Sequence, residues 1–136
     1  MRFRSALGPA SLSVVAAIPC GVSSAHAQEL VWKTVGNAAG DAFGYDAEMG
    51  GDIDRDGVLD VVVGAPYAGC NGAYSGEGSA VRGGDGSQIL SVCGAPSSLL
   101  GVRVASAFDV DADGIDDILI SAPFDDRAGV DAAGLR

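Results

Sequence analysis

Histidine is almost missing from this chain. The single one, His26, lies in the N-terminal stretch, so beyond residue 27 no serine or cysteine nucleophile can be paired with an imidazole base. Cations are scarce as well: eight lysines and arginines stand against eighteen aspartates and glutamates, for a formal net charge of −10. That balance excludes nucleic acid and anionic membrane as partners, because both require basic patches. Aromatic residues make up only 6% of the chain. Trp32, Phe43, Tyr45, Phe108 and Phe124 are scattered about one to a strand, a pattern of packing rather than of a stacking surface for sugars or bases. No apolar run is long and unbroken enough to span a bilayer, and no segment past the N-terminus carries a helical apolar period. Gly76-Glu77-Gly78 followed by Gly83-Gly84 lacks the spacing of a phosphate-cradling loop, and no Asn-x-Ser/Thr acceptor occurs.

The N-terminus reads as an export signal. Arg2 and Arg4 precede a modestly apolar stretch, Ala6 to Ile18, and the segment ends in Ala25-His26-Ala27, a small-x-small site of the kind that signal peptidase cuts. A signal over residues 1–27 implies a secreted, extracellular or periplasmic chain of about 109 residues, the size of one small domain. Loss of Arg2 and Arg4 moves the formal charge from −10 to −12. A lipoprotein reading through Cys20 is weaker, because Pro19 directly before the cysteine suits that processing poorly. Cys70 and Cys93 remain, an even pair in an oxidising compartment.

What the chain has in abundance is carboxylate, and it is placed. Asp52-Ile53-Asp54-Arg55-Asp56-Gly57-Val58-Leu59-Asp60 and Asp109-Val110-Asp111-Ala112-Asp113-Gly114-Ile115-Asp116-Asp117 share acids at loop positions 1, 3, 5 and 9, glycine at 6 and an aliphatic residue at 7. Four carboxylates in nine residues repel one another unless a cation sits among them, and hard oxygen donors at this spacing suit calcium. The expected ligands are Asp52, Asp54, Asp56, the carbonyl of Val58 and Asp60 in the first loop. In the second they are Asp109, Asp111, Asp113, the carbonyl of Ile115 and Asp117. Gly57 and Gly114 allow the sharp turn around the ion. An EF-hand shares the first half of this pattern but needs a bidentate glutamate at position 12 and flanking helices. Here position 12 is Val63 or Ile120, inside β-branched runs.

The two loops are 57 residues apart, and the offset holds around them. Phe43-Gly44 matches Leu100-Gly101, Val61-Val62-Val63 matches Ile118-Leu119-Ile120, and Gly64-Ala65-Pro66 matches Ser121-Ala122-Pro123. A weaker echo sets Leu30 to Gly36 against Gln88 to Gly94, each just before the start of a repeat. Repeats of this length indicate stacked arrays or propellers. The unit reads as a strand from about Gly44 to Met49, the acidic loop, a strand from about Asp60 to Gly64, a connection, and a hairpin from about Gly78 to Val92 turned at Asp85-Gly86. That is a four-stranded antiparallel meander. In such a meander Cys70, after the second strand, and Cys93, at the end of the fourth, lie on one side. A disulfide there would close about 24 residues and contribute on the order of 3 kcal/mol. Free thiols, or a partner outside this sequence, are the alternatives.

With an aromatic-Gly start, an Asp-x-Asp-x-Asp-Gly-x-x-Asp loop and a Gly-Ala-Pro end, the chain resembles the FG-GAP repeat family, which includes the blades of the integrin alpha-chain propeller. The likeness runs from about Leu30 to Arg136, with repeat 1 about 43–99 and repeat 2 about 100–136. The second copy departs at Leu100 and Ser121. The resemblance implies an all-β fold of propeller-type blades with calcium at two sites, the loops between the first and second strands. It also implies a role in adhesion, or in protein or carbohydrate binding, for a complete propeller. The connection Tyr67 to Glu77 is the expected place for such contacts. A propeller of this family takes about seven blades, so about one and a half blades imply that further FG-GAP blades are required. No catalytic constellation is present, and a non-enzymatic module is the leading reading. The alternatives are an accessory part of a secreted hydrolase and a truncated fragment without independent function.

Overall fold

Short β-branched runs bounded by turn formers become strands because branched side chains pack well on a pleated surface. In the computed structural model, which describes residues 13–18 and 29–126, they form eight strands. These are β1 (Ser13–Ile18), β2 (Glu29–Val35), β3 (Asp46–Gly51), β4 (Asp60–Ala65), β5 (Glu77–Val81), β6 (Gln88–Cys93), β7 (Val104–Phe108) and β8 (Asp117–Ile120). β3-β4-β5-β6 is a four-stranded antiparallel meander, one whole propeller-type blade, and β7-β8 repeats its first two strands. The all-β, blade-type architecture read from the sequence is therefore the one observed, and the described strands do not close into a propeller.

The first blade is buried from both sides, which explains why its second strand is apolar throughout instead of alternating. All six residues of β4 and all five of β5 are buried. On one face Val61, Val63, Ala65 and Val81 close on Trp32, Phe43 and Ala68. Because side chains alternate along a strand, Val62 and Gly64 serve the opposite face, which lies against the second blade. Val62 and Val63 are fully buried, each contributing about 1.5–3 kcal/mol by removal from water.

Contact between the blades requires residues with almost no side chain. A Cβ added at Gly64 would lie 2.0 Å from the Gly101 carbonyl oxygen, and one added at Gly78 would lie 2.4 Å from Cδ1 of Ile120. The inner strands are also tied: the Val104 amide donates to Asp46 Oδ2 at 3.0 Å. Cys70, in the connection after β4, is disulfide-bonded to Cys93 at the end of β6, with Cα atoms 6.0 Å apart.

Three features differ from the sequence reading. β3 begins two residues later than Gly44, because Ala42 and Gly44 take positive φ angles and the Tyr45 amide closes a turn on the Ala42 carbonyl. The β5–β6 connection spans six residues, 82–87, instead of a tight turn at Asp85-Gly86. It closes through Arg82 N–H to Ser87 C=O at 2.7 Å and Gly86 N–H to Arg82 C=O at 2.9 Å. Within it the Asp85 carboxyl is held below its ordinary range by the Ser87 hydroxyl and then the Ser87 amide. Finally, β1 pairs antiparallel with β2, Ser13 opposite Val35 and Ile18 opposite Glu29. This strand lies in the run assigned to export. Residues 1–12 and 19–28, with the Ala25-His26-Ala27 site, lie outside the described residues, as do residues 127–136.

Candidate metal centre

The two acidic loops share a set of backbone-to-carboxylate hydrogen bonds at the same positions. In the first, the Asp56 amide donates to Asp52 Oδ1 and Asp54 Oδ1, the Gly57 amide to Asp52 Oδ2, and the Val58 amide to Asp56 Oδ1, all within 2.8–3.2 Å. In the second, the Asp113 amide donates to Asp109 Oδ1 and Asp111 Oδ1, the Gly114 amide to Asp109 Oδ2, and the Ile115 amide to Asp113 Oδ1, within 2.8–3.1 Å. These amides fix the carboxylates pointing into the loop while leaving each of them lone pairs to spare. Gly57 and Gly114 take φ of 87° and 85°, the left-handed turn their position requires. Position 4 is left-handed too, φ 63° at Arg55 and 64° at Ala112, although neither residue type signals it.

The carboxylates converge by threes. Oxygens of Asp52, Asp54 and Asp56 lie within 4.8 Å of one another, as do those of Asp109, Asp111 and Asp117. Like charges at that separation repel by about 1 kcal/mol a pair in water, and by about 3–4 at an effective dielectric of 20. Such all-oxygen clusters fit a hard divalent cation. The fourth acid stands apart in each loop, and at position 9 the loops diverge. Asp60 is fully buried; its Oδ2 accepts from the amides of Ile53 at 2.8 Å and Asp54 at 3.4 Å, and its Oδ1 from Gly83 at 3.0 Å. Asp117 is half-buried and, among the described residues, accepts only the Val110 amide, at 2.7 Å. At position 7, Val58 is exposed and Ile115 half-buried.

Two arginines at the loops carried no sequence signal, since the partners are far apart in the chain or lie on the second repeat. Arg82, from the β5–β6 connection, pairs through Nε with Asp54 and lies 3.6 Å from Asp56. Hydrogen bonding to Asp54 and its charge raise the guanidinium pKa further above its usual value. Arg55 reaches across the blades and donates to the Asp113 carbonyl at 2.9 Å. Among the described residues, no ion pair reaches a carboxylate of the second loop.

The aromatic residues divide. Trp32 and Phe43 are core, as read, but Tyr45, Phe108 and Phe124 are 53%, 77% and 63% exposed and do not pack within a blade. Phe108 ends β7 and Phe124 follows β8 in the second repeat, where only two strands are described, so among the described residues no third or fourth strand covers them. Tyr45 instead meets Tyr67 edge-on with centroids 6.4 Å apart, and Tyr67 meets Tyr74 likewise at 6.3 Å. The chain's three tyrosines thus form one exposed cluster around the Tyr67 to Glu77 connection.

A protein-family model described as the FG-GAP repeat matches residues 43–81 and 100–135, the same two copies that carry the loops. This chain belongs to the FG-GAP repeat family. The chain is 36% identical over 93 residues to integrin alpha-7 of Mus musculus, covering 61% of this chain and 7% of that protein. It is 35% identical over 91 residues to integrin alpha-7 of Homo sapiens, with the same shares. Against integrin alpha-6 of Homo sapiens it is 31% identical over 100 residues, 70% of this chain and 9% of that protein. The chain therefore spans less than a tenth of the length of these curated relatives.

Proposed function

We propose that this chain is an exported, non-enzymatic, calcium-binding FG-GAP module, in which calcium fastens the corner between the first two strands of each blade. In a complete propeller such blades serve adhesion, or protein or carbohydrate binding. The observation that carries the reading is the recurrence of one loop geometry in both repeats, with a carboxylate trio in each. The ligands proposed are Asp52, Asp54, Asp56 and Asp60 with the Val58 carbonyl, and Asp109, Asp111, Asp113 and Asp117 with the Ile115 carbonyl. Asp60 and Asp117 begin β4 and β8, so an ion held there would couple a loop to a rigid strand. Blades that touch only their neighbours gain most from such clips. The exposed tyrosine cluster supports a binding role for the face that carries Tyr67 and Tyr74.

Calorimetric titration of the chain with calcium is expected to show two sites, with Asp54→Ala removing one and Asp111→Ala the other. Calcium at 100 times the dissociation constant should stabilise each occupied site by about 2.7 kcal/mol, read as a rise in Tm. The absence of heat or melting shift at millimolar calcium would overturn the reading. Export has its own test. Mass spectrometry of the chain recovered from a secreting host should give an N-terminus at Gln28; an intact Met1 on secreted protein would rule out cleavage there and leave β1 as part of the mature fold.

A further inference from the structure

The loops share a backbone but not their surroundings, and the difference is what a guanidinium touches: carboxylates at the first loop and a backbone carbonyl at the second. At the first loop the guanidinium of Arg82 pairs with Asp54 and lies 3.6 Å from Asp56, two of the three carboxylates that converge. Oxygens committed to a guanidinium are not free for a metal, and a fixed positive charge at this range opposes a second cation. At the second loop the guanidinium of Arg55 donates to the Asp113 backbone carbonyl, and among the described residues it forms no ion pair with a carboxylate there, so the oxygens of Asp109, Asp111 and Asp117 are left free of it.

The backbone that carries Arg82 is held in place on both sides. The connection that carries it docks on the first loop through the Gly83 amide, which donates to Asp60 Oδ1 at 3.0 Å. At Gly83 the approach is close: an added Cβ would lie 1.9 Å from the Leu59 carbonyl oxygen. From the other side Trp32 Nε1–H donates to the Gly83 carbonyl at 2.6 Å. The indole also lies beneath Gly86, where an added Cβ would come within 2.6 Å of Cε3. The chain's single tryptophan is thus seated on the connection that delivers Arg82.

We propose that Arg82 is a built-in competitor of the metal at the first loop, so that the second loop fills at lower calcium and the first fills only as Arg82 yields Asp54 and Asp56. This inference rests on the calcium reading above and adds an order of filling to it. Arg82 acts on the site through its ligands and is a positioning residue, not a ligand.

The test uses the full chain as wild type, Arg82→Met and Arg82→Lys, titrated with calcium chloride. Calorimetry follows both loops, while Trp32 fluorescence follows the first alone through its contact with residues 83 and 86. In wild type the fluorescence change should track the weaker of two calorimetric steps. Arg82→Met should move the fluorescence midpoint to lower calcium by about tenfold, the order expected for removing one charge close to the site, and leave the other step in place. Arg82→Lys, which keeps the charge, should stay near wild type. A fluorescence midpoint unmoved in Arg82→Met, or moved to higher calcium, overturns the competitor role while leaving calcium binding intact. No calcium heat in any variant overturns both. Arg82 is partly exposed, and far-ultraviolet circular dichroism of Arg82→Met should match wild type.

Discussion

Replacing Asp60 with alanine is expected to destabilise the chain by about 3–5 kcal/mol, because it leaves three partly buried backbone amides without acceptors. Those amides belong to Ile53, Asp54 and Gly83, so the loss releases the first acidic loop and the β5–β6 connection together. Asp60→Asn keeps the shape and one acceptor oxygen, but places an amide nitrogen opposite a backbone N–H, and should fall between alanine and wild type. Denaturant midpoints measured in chelator isolate this effect from metal binding. If Asp60→Ala melted within about 1 kcal/mol of wild type in chelator, the buried carboxylate would not be holding the corner. The equivalent change at Asp117, which accepts one amide in a half-buried setting, should cost about 1 kcal/mol under the same conditions.

The second large effect is expected at Gly64, on the face of the first blade that meets the second. Any Cβ there would sit 2.0 Å from the Gly101 carbonyl oxygen and 2.8 Å from its carbon. The obstacle is backbone, which cannot swing aside as a flexible side chain would. Gly64→Val should therefore cost about 3–5 kcal/mol, with the penalty concentrated at the contact between blades. Hydrogen exchange separates this from general unfolding: amides of β7 and β8 should lose protection first, while β4 and β5, which keep Trp32 and Phe43 against them, hold theirs. Equal loss of protection in all four strands would mean that the blades fold as one cooperative unit, not as neighbours joined by a contact.

The meander was legible in the sequence because its signals are local. Val61-Val62-Val63, the glycines and the prolines punctuate strands at short range, and the 57-residue offset between Asp52 and Asp109 set the two copies at the same junction. The Cys70–Cys93 bond shows how far such reasoning reaches, since the order of antiparallel strands alone put the two cysteines on one side. It failed where the outcome depended on neighbours. Tyr45 reads as packing by its place in a strand, yet a turn at Ala42 and Gly44 delays β3 and leaves the ring against Tyr67. Asp85-Gly86 reads as a tight hairpin, yet the connection is longer because Arg82 and Gly83 are drawn onto the first acidic loop.

The sequence by itself determined the blade, the repeat and the eight carboxylates of the paired loops, because periodicity, glycine and charge crowding act between residues close along the chain. Only the tertiary structure decided that the two loops are unequal. Position 9 is a buried anchor in Asp60 and a half-buried member of the trio in Asp117. One loop has a carboxylate paired with an arginine from 28 residues away in the chain; at the other, an arginine reaches only a backbone carbonyl. Electrostatics depends on distance in space and on burial, and neither is written into the spacing of aspartates.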